Sequence, residues 1–312
     1  MKVLVTGIGG FVGSFFARLL VNQGYDVHAI VRKTTDLWRI QDILPSIHLF
    51  YADLQDYSHI NTYLKELKPD WCIHLAWYAV PGKYLQSPEN LNSLQASLNL
   101  VSQLAEVGCQ RFIGVGTCFE YDFSLGYLSE SSPTKPLTLY AATKVALATT
   151  LSQLSAVTNM ETVWVRLFYQ YGEQENANRL IPAIIYSLLK EEEVKTTKGE
   201  QIRDFLHIED VASALLEISK SKLTGIVNIG SGQPITVREI ALKIGEILNK
   251  AHLIDFGALP YRANDPMFIC ANNSLLKEQT NWQIKYDWET GIRQTIDWYS
   301  RLKNQRLVHE YQ

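Results

Sequence analysis

The sequence has 312 residues, of which 46% are hydrophobic and 20% charged, so it is long enough for two domains and too apolar for a disordered chain. Its 29 basic and 32 acidic residues give a net charge of −3, which provides no overall positive field for nucleic acid or acidic membranes. Four scattered cysteines without a CxxC pair indicate neither a zinc ribbon nor a disulfide framework, and no metal site is expected. No apolar run reaches the roughly 18 residues of a membrane helix, so we expect a cytoplasmic protein without nucleic-acid or membrane partners.

Short apolar strands alternate with amphipathic helices in the first half of the chain. The sequence predicts strands at Lys2–Thr6, Asp26–Val31, Ile47–Tyr51, Trp71–Ala76, Phe112–Gly116 and Thr162–Leu167. It predicts helices at Phe11–Asn22, Ser87–Val107 and Leu139–Thr158. Buried strands joined by helices predict a Rossmann-type α/β fold, a doubly wound parallel sheet with helices on both faces.

The regular alternation ends after Phe168, where aromatic and charged residues mix. We interpret residues 1–168 as the main domain and residues 169–312 as mainly a smaller C-terminal cap that binds the substrate. Elements near residues 208–228, a helix and a strand, are expected to return to the main domain.

A glycine-rich turn joins the first strand to the first helix. Glycines let backbone N–H groups approach a pyrophosphate, and the helix N-terminus adds a favourable dipole. Because strand, turn and helix follow in order, we interpret residues 1–168 as a dinucleotide-binding domain, with an ordinary turn as the alternative. The cofactor contacts predicted there are Gly7, Gly10, Phe11, Val12 and Gly13.

The second strand ends in Val31-Arg32-Lys33, without an acidic residue. A carboxylate at this point would bind the ribose 2′-hydroxyl of NAD, whereas Arg32 and Lys33 suit the 2′-phosphate of NADP. We therefore expect NADP(H), with NAD(H) as the alternative cofactor and two surface cations as the alternative interpretation. Asp53 and Leu54, after the third strand, are candidates for contact with the adenine.

A tyrosine and a lysine four residues apart lie on one face of a helix, where the ammonium lowers the pKa of the tyrosine and makes proton transfer near neutrality feasible. Only Tyr140 opens the helix after the fifth strand, whose end carries Thr117, and strand ends are where such a sheet places its ligand. The sequence therefore predicts Thr117, Tyr140 and Lys144 as catalytic. Two other pairs are predicted to lie on solvated helix faces: Tyr186/Lys190 and Tyr299/Lys303.

Further motifs follow in order along the chain: His74–Ala76, Tyr140–Lys144, Arg166–Gly172, Leu180–Pro182, Arg203–Asp210, Asn228–Gly232 and Arg262–Asp265. With the glycine turn, they make the chain resemble, over nearly its whole length, the extended short-chain dehydrogenases/reductases of the NAD(P)-dependent nucleotide-sugar epimerase/dehydratase family. The resemblance implies that Tyr140 is the acid/base, that Lys144 binds the nicotinamide ribose, and that Thr117 orients the substrate.

The resemblance also implies further contacts and a homodimer formed through the two long helices. Leu75 and Ala76 are expected at the cofactor. The expected substrate contacts are Tyr78, Thr117, Tyr169, Arg203 and Arg262, with the two arginines on the nucleotide diphosphate or, alternatively, in structural salt bridges. Tyr169 replaces an asparagine common in the family, which leaves its sugar contact open.

Departures from the family pattern narrow the chemistry. Cys118 and Phe119 occupy the positions at which family dehydratases carry an acid pair, so dehydration is not expected. Cys118 lies one residue before the position that carries the cysteine in the 3,5-epimerising fucose synthases. We interpret Cys118 as a small buried side chain that fills space in the core. Glu120 is either a structural partner or a polar contact at the site.

Hydride transfer at one carbon is the reaction that remains after these departures. We expect an oxidoreductase of deoxysugar biosynthesis that uses NADPH to reduce the C4 keto group of a nucleotide-linked 4-keto-6-deoxyhexose, similar to the nucleotide-sugar 4-ketoreductases. A 4-epimerase with tightly held NAD(P) is the first alternative. A non-catalytic dinucleotide-sensing regulatory protein is the alternative from another class, which the proton-donor set of Thr117, Tyr140 and Lys144 argues against.

Overall fold

Strands and helices alternate along the chain in the computed structural model, which describes residues 1–262 and 265–304. The strands are β1 Lys2–Thr6, β2 Asp26–Val31, β3 Ile47–Tyr51, β4 Trp71–His74, β5 Arg111–Thr117, β6 Tyr127–Leu128, β7 Glu161–Leu167, β8 Tyr169–Tyr171, β9 Val194–Thr196, β10 Ile202–His207, β11 Gly225–Ile229, β12 Pro234–Thr236, β13 Ile254–Phe256 and β14 Cys270–Ala271. The helices are α1 Phe11–Asn22, α2 Tyr57–Leu67, α3 Glu89–Glu106, α4 Leu139–Val157, α5 Leu180–Leu189, α6 Ile208–Lys220, α7 Val237–Ile247, α8 Ser274–Gln279 and α9 Trp288–Asn304.

A seven-stranded sheet in the order β11-β7-β5-β4-β1-β2-β3 forms the centre of the molecule. Every neighbouring pair in it is parallel. The predicted Rossmann-type doubly wound α/β fold is confirmed. Strand β4 ends at His74 rather than at Ala76, because the Leu75 N–H makes the last bond to β1, at Thr6, and the chain then leaves the sheet.

Alternate side chains along each strand pack on opposite faces of the sheet, as the two-residue period of a strand requires. Val3 and Val5 join the cluster under α1 and α6, which contains Phe16 and Leu215. Leu4 points to the other face and joins the cluster of α2, α3 and α4. With both faces covered, the sheet edge at the carboxyl ends of the strands is left for ligands.

The second half of the chain divides between the main sheet and smaller units. Strand β11 pairs with β7, and α6 packs against α1. Strands β8, β10 and β12 form a separate sheet, while α5, α7 and α9 share a third apolar cluster. The domain boundary at residue 168 stays a prediction. Residues 263–264 of the Arg262–Asp265 motif and residues 305–312 of the predicted cap lie outside the described residues.

Across the described part of the chain, every helix is too short or too polar to cross a bilayer.

Candidate active site

The carboxyl ends of the central strands open into one cavity of about 2270 Å³. The cavity lies where the strand order of the sheet reverses, because β2 is next to β1 on one side and β4 is next to β1 on the other side. Ligands of doubly wound sheets bind at this crevice. A pocket for one small molecule is usually about 300–1,000 Å³, so the cavity has room for two ligands side by side.

The glycine turn forms one wall of the cavity, and two of its glycines, Gly7 and Gly13, have no room for a side chain. Gly7 has φ = +75°, and a Cβ there would lie 2.7 Å from the backbone N of Ala76. A Cβ on Gly13 would collide with the Gly7 carbonyl oxygen. Because the glycines bring the backbone close to the cavity at the start of α1, the turn fits the pyrophosphate of a dinucleotide. The predicted contacts Gly7, Gly10, Phe11, Val12 and Gly13 all line the cavity.

A buried polar chain fixes the floor beneath this turn. The Thr6 hydroxyl lies 2.7 Å from His74 Nδ1, and His74 Nε2 lies 2.7 Å from the Ser97 hydroxyl. The Ala76 N–H donates to the Thr6 hydroxyl at 3.3 Å. Burial lowers the pKa of His74 to about 3, so this histidine is neutral at pH 7 and links β1, β4 and α3. The predicted contacts Leu75 and Ala76 lie directly above it, in the cavity wall.

The two cations after β2 differ in their position. Arg32 is exposed and lines the cavity, whereas Lys33 is exposed and lies outside its wall. The turn after β2 is held by a hydrogen bond of 3.1 Å from the Arg32 N–H to the Thr35 hydroxyl. Asp53 and Leu54 line the cavity near the end of β3.

Tyr140 and Lys144 enter the cavity from the first turns of α4. Thr138 caps this helix, since its hydroxyl accepts the Ala141 N–H at 3.2 Å. The predicted trio is brought together, because Thr117 at the end of β5 lines the same cavity. The Tyr140 ring also meets the edge of the Tyr84 ring, with centroids 4.8 Å apart.

The pKa of Tyr140 is raised, mainly by burial, and a hydrogen bond with the Thr117 side chain only partly opposes this. The prediction that the lysine lowers the pKa of this tyrosine is therefore wrong for this structure. The reason is geometric: Lys144 Nζ donates to the Val115 carbonyl at 2.6 Å and lies 5.9 Å from the centre of the Tyr140 ring. Tyr140 keeps its proton at neutral pH.

Lys144 is buried and has an unusual environment for a cation. Its Nζ lies 3.7 Å from the centre of the Trp77 ring, and burial lowers the pKa of Lys144 to about 7, against the opposing charge of Glu120. The Trp77 indole is held by a bond of 2.9 Å from its Nε1–H to the Asn90 side-chain oxygen. Sequence reasoning missed Trp77 and Tyr84, since both lie in the irregular segment between β4 and α3.

Glu120 is a structural partner, one of its two predicted roles. It is fully buried, and its Oε2 accepts the Arg166 Nε–H at 2.7 Å. Its Oε1 accepts the Thr117 N–H at 2.8 Å and, at 3.1 Å, the Trp164 indole N–H. The carboxylate therefore fixes the end of β5 and Thr117.

Cys118 follows Thr117 and is almost completely buried. Burial raises its pKa to about 12, so it remains a thiol at neutral pH. It packs in an apolar cluster with Tyr121, Leu128 and Ile269.

The predicted substrate contacts Tyr78, Tyr169, Arg203 and Arg262 all line the cavity. Arg203 already has a partner, since its guanidinium donates to Asp265 Oδ1 at 2.8 Å and lies 5.7 Å from the Tyr169 ring centre. The alternative of a structural salt bridge is thus present for Arg203, and its contact with a diphosphate stays a prediction. Sequence reasoning also missed Glu175 and Arg179, which face the same space.

The two other tyrosine–lysine pairs are not fully solvated, contrary to prediction. Tyr299 is only 1% exposed, its hydroxyl donates to the Glu175 carbonyl at 2.9 Å, and the Tyr186 ring packs against it at 4.9 Å. Helices α5 and α9 pack together, which turns both tyrosines inward and leaves Lys190 and Lys303 exposed.

The chain is similar to known proteins over most of its length. Residues 3–230 match the family described as "NAD dependent epimerase/dehydratase family". The chain is 26% identical over 274 residues to dTDP-6-deoxy-L-talose 4-dehydrogenase (NAD(+)) of Aggregatibacter actinomycetemcomitans, covering 86% of this chain and 98% of that one. It is 24% identical over 301 residues to CDP-abequose synthase of Salmonella muenchen, covering 95% and 97%.

The fold has a close counterpart among solved structures. UDP-glucose 4-epimerase of Thermus thermophilus, in complex with NAD, superposes with a TM-score of 0.85 at 24% identity, covering 96% of this chain and 99% of that one. The family match covers well over half of the chain, and the relatives named here act on nucleotide-linked sugars. The chain belongs to the NAD-dependent epimerase/dehydratase family of nucleotide-sugar-modifying enzymes.

Proposed function

We propose that this protein reduces the C4 keto group of a nucleotide-linked 4-keto-6-deoxyhexose with NADPH. The observation that carries the proposal is the trio Thr117, Tyr140 and Lys144 at the carboxyl edge of the sheet, without an acid pair beside it. Cys118 and Phe119 follow Thr117, and Glu120 is committed to Arg166. A proton donor without an acid pair suits hydride transfer to a carbonyl and not elimination of water.

The cofactor's place is proposed from the cavity wall. The glycine turn would hold the pyrophosphate, Arg32 the 2′-phosphate of NADP(H), and Asp53 with Leu54 the adenine. Leu75 and Ala76 would lie along the bound dinucleotide, and Lys144 would hold the nicotinamide ribose. When bound, NADPH supplies the hydride for C4.

Tyr140 is the proposed proton donor to the oxygen on C4. Its raised pKa keeps the phenol protonated at neutral pH, which a donor in the reducing direction requires. Thr117 would donate a second hydrogen bond to the developing alkoxide, and Lys144 would stabilise that negative charge.

The nucleotide diphosphate is assigned to the arginines of the cap. Guanidinium groups bind phosphate oxygens in pairs, and Arg203 and Arg262 face the cavity. Tyr78 and Tyr169 are assigned to the sugar.

A 4-epimerase with tightly held NAD(P) is the second candidate. Among the relatives, UDP-glucose 4-epimerase of Corynebacterium glutamicum is 25% identical over 318 residues, covering 95% of this chain. An epimerase needs the same proton donor, but it retains its cofactor and needs no external NADPH. Cofactor that stays with the protein through purification would favour it.

The test is a panel of nucleotide 4-keto-6-deoxysugars mixed with NADPH, followed by the loss of reduced-nicotinamide absorbance. At least one sugar should consume NADPH, and Tyr140→Phe should lower turnover by about 10²–10⁴-fold because the donor is lost. Tyr186→Phe is the matched control, since Tyr186 also precedes a lysine by four residues but lies outside the cavity wall. Normal turnover in Tyr140→Phe, or no NADPH consumption with any sugar of the panel, contradicts the proposal. Interconversion of a nucleotide 4-hydroxy sugar and its C4 epimer without added NADPH would instead support the epimerase.

A further inference from the structure

Two histidines and an aspartate meet on one face of the sheet at the edge opposite the cavity. Asp26 and His28 lie two residues apart in β2 and therefore point to the same side. His48 in β3 is the register partner of His28. The sequence spacing does not suggest this group, because His48 comes close to Asp26 and His28 only through the parallel pairing of β3 with β2.

The distances between the three side chains suit a metal ion. Asp26 Oδ1 lies 3.1 Å from His28 Nε2 and 3.4 Å from His48 Nε2, and the three atoms lie within 4.8 Å of one another. Zinc bound at about 2.0–2.2 Å in tetrahedral geometry separates its ligand atoms by about 3.3–3.5 Å. Two imidazoles and a carboxylate, with water in the fourth position, are a common zinc ligand set.

His28 is held in place for such a role. Its Nε2 is buried and, within the described residues, makes no well-aligned hydrogen bond despite the nearby Asp26 oxygen. Its Nδ1 lies 3.4 Å from the Tyr63 hydroxyl, and the Tyr63 ring stacks on Phe50 at 3.9 Å. Histidines that bind metals usually hydrogen-bond through the other ring nitrogen, which fixes their orientation.

His48 supplies the movable ligand. Its ring stacks on His28 with centroids 4.6 Å apart, and its side chain is 70% exposed. Rotation about the Cβ–Cγ bond can therefore turn its Nε2 toward an ion held by Asp26 and His28 without disturbing the core.

We propose that Asp26, His28 and His48 bind one divalent ion of the zinc class, with water completing the coordination. The three residues lie at the amino-terminal ends of β2 and β3, outside the cavity lining. The proposal is therefore independent of the proposed reaction. An ion here ties the edge strand β3 to β2 and stabilises the folded state by mass action.

The test is a titration of the chain, without an affinity tag, with Zn²⁺ against a fluorescent zinc indicator. We expect one equivalent to bind and His48→Gln to weaken that binding at least about tenfold, since one of three protein ligands is lost. His252→Gln, in the exposed turn Ala251–Leu253, is the matched control and should bind like the wild type. Zn²⁺ should raise the midpoint of thermal unfolding in the wild type and the control, but much less in His48→Gln.

Two results overturn the proposal. One is wild-type binding of Zn²⁺ weaker than about 1 mM, the range of non-specific surface contacts. The other is equal Zn²⁺ affinity in the wild type and His48→Gln. Asp26→Asn removes another of the three ligands and should weaken Zn²⁺ binding as well. Co²⁺ should produce the visible absorption of a tetrahedral ion only with the wild type and the control.

Discussion

At the scale of single residues, burial decides what each ionisable group near the cavity can do. Glu120 is placed one turn after Thr117, yet it is paired with Arg166 and bonded to the Thr117 backbone, so it positions and does not react. Burial shifts the pKa values of Tyr140 and Lys144 in opposite directions, because loss of water disfavours the charged form of each group. The pKa of Tyr140 is raised, so its phenol stays neutral. The pKa of Lys144 is lowered, so its amine is close to losing its charge.

Replacing Glu120 should strongly destabilise the protein. Glu120→Gln leaves the Arg166 guanidinium, which is 2% exposed, without a countercharge, and breaking such a buried pair costs about 3–5 kcal/mol of unfolding free energy. Urea unfolding measures the change. Glu289→Gln, which removes the surface pairs with Arg293 and Lys243, is the control and should cost less than about 1 kcal/mol for each pair. Equal effects of the two substitutions would contradict the structural role.

Arg32 should set the cofactor preference. We expect NADPH to bind at least ~10-fold more tightly than NADH, which corresponds to one good charge-assisted contact with the 2′-phosphate. Arg32→Ala should remove most of this preference, whereas Lys33→Ala should leave it largely intact, because Lys33 lies outside the cavity wall. Fluorescence titration with both cofactors measures the ratio, and equal affinities in the wild type would refute the assignment.

At the scale of elements, α4 and the end of β5 form the reactive part of the site, and both are predictable from sequence. The strands of the central sheet are apolar and bounded by turns, and the glycine turn follows the first of them directly. The small sheets were not predicted, since β6, β8 and β14 have two or three residues each and their partners lie far along the chain. The packing of Tyr299 depends on α5, which its own helix pattern cannot show.

The buried lysine on α4 should give the protein without cofactor a distinct pH dependence of stability. The pKa of Lys144 is about 7 when folded, against about 10.4 when unfolded. Between these two pKa values, Lys144 is protonated in the unfolded chain and mostly neutral in the folded protein. The free energy of unfolding therefore rises as the pH increases from 7 to 10. Lys144→Met lacks this contribution. Thermal unfolding of the wild type should therefore improve relative to Lys144→Met from pH 7 to pH 9, and parallel curves would contradict the lowered pKa.

At the scale of the whole molecule, the two long helices α3 and α4 pack side by side on one face of the sheet. Leu91 on α3 is 55% exposed. We expect these helices to pair with those of a second copy in a homodimer.

Light scattering at micromolar concentration should then give twice the chain mass of 35.5 kDa. Leu91→Glu places a charge in the expected interface and should shift the protein toward the monomer without lowering its helix content. A wild-type protein that stays monomeric would rule out this assembly.

The proposed reaction transfers one hydride from NADPH to C4 of the sugar, and a deuterium label on the cofactor follows that hydride. NADPH carrying deuterium at C4 of the nicotinamide, in each of its two stereochemical forms, is incubated with the nucleotide 4-keto-6-deoxysugars, and the product is examined by mass spectrometry and NMR. We expect one deuterium at C4 of the sugar for each NADPH oxidised, from one of the two labelled forms only. No net oxidation of NADPH with any of the 4-keto sugars, or NADPH oxidation without deuterium at C4 of the sugar, would contradict it.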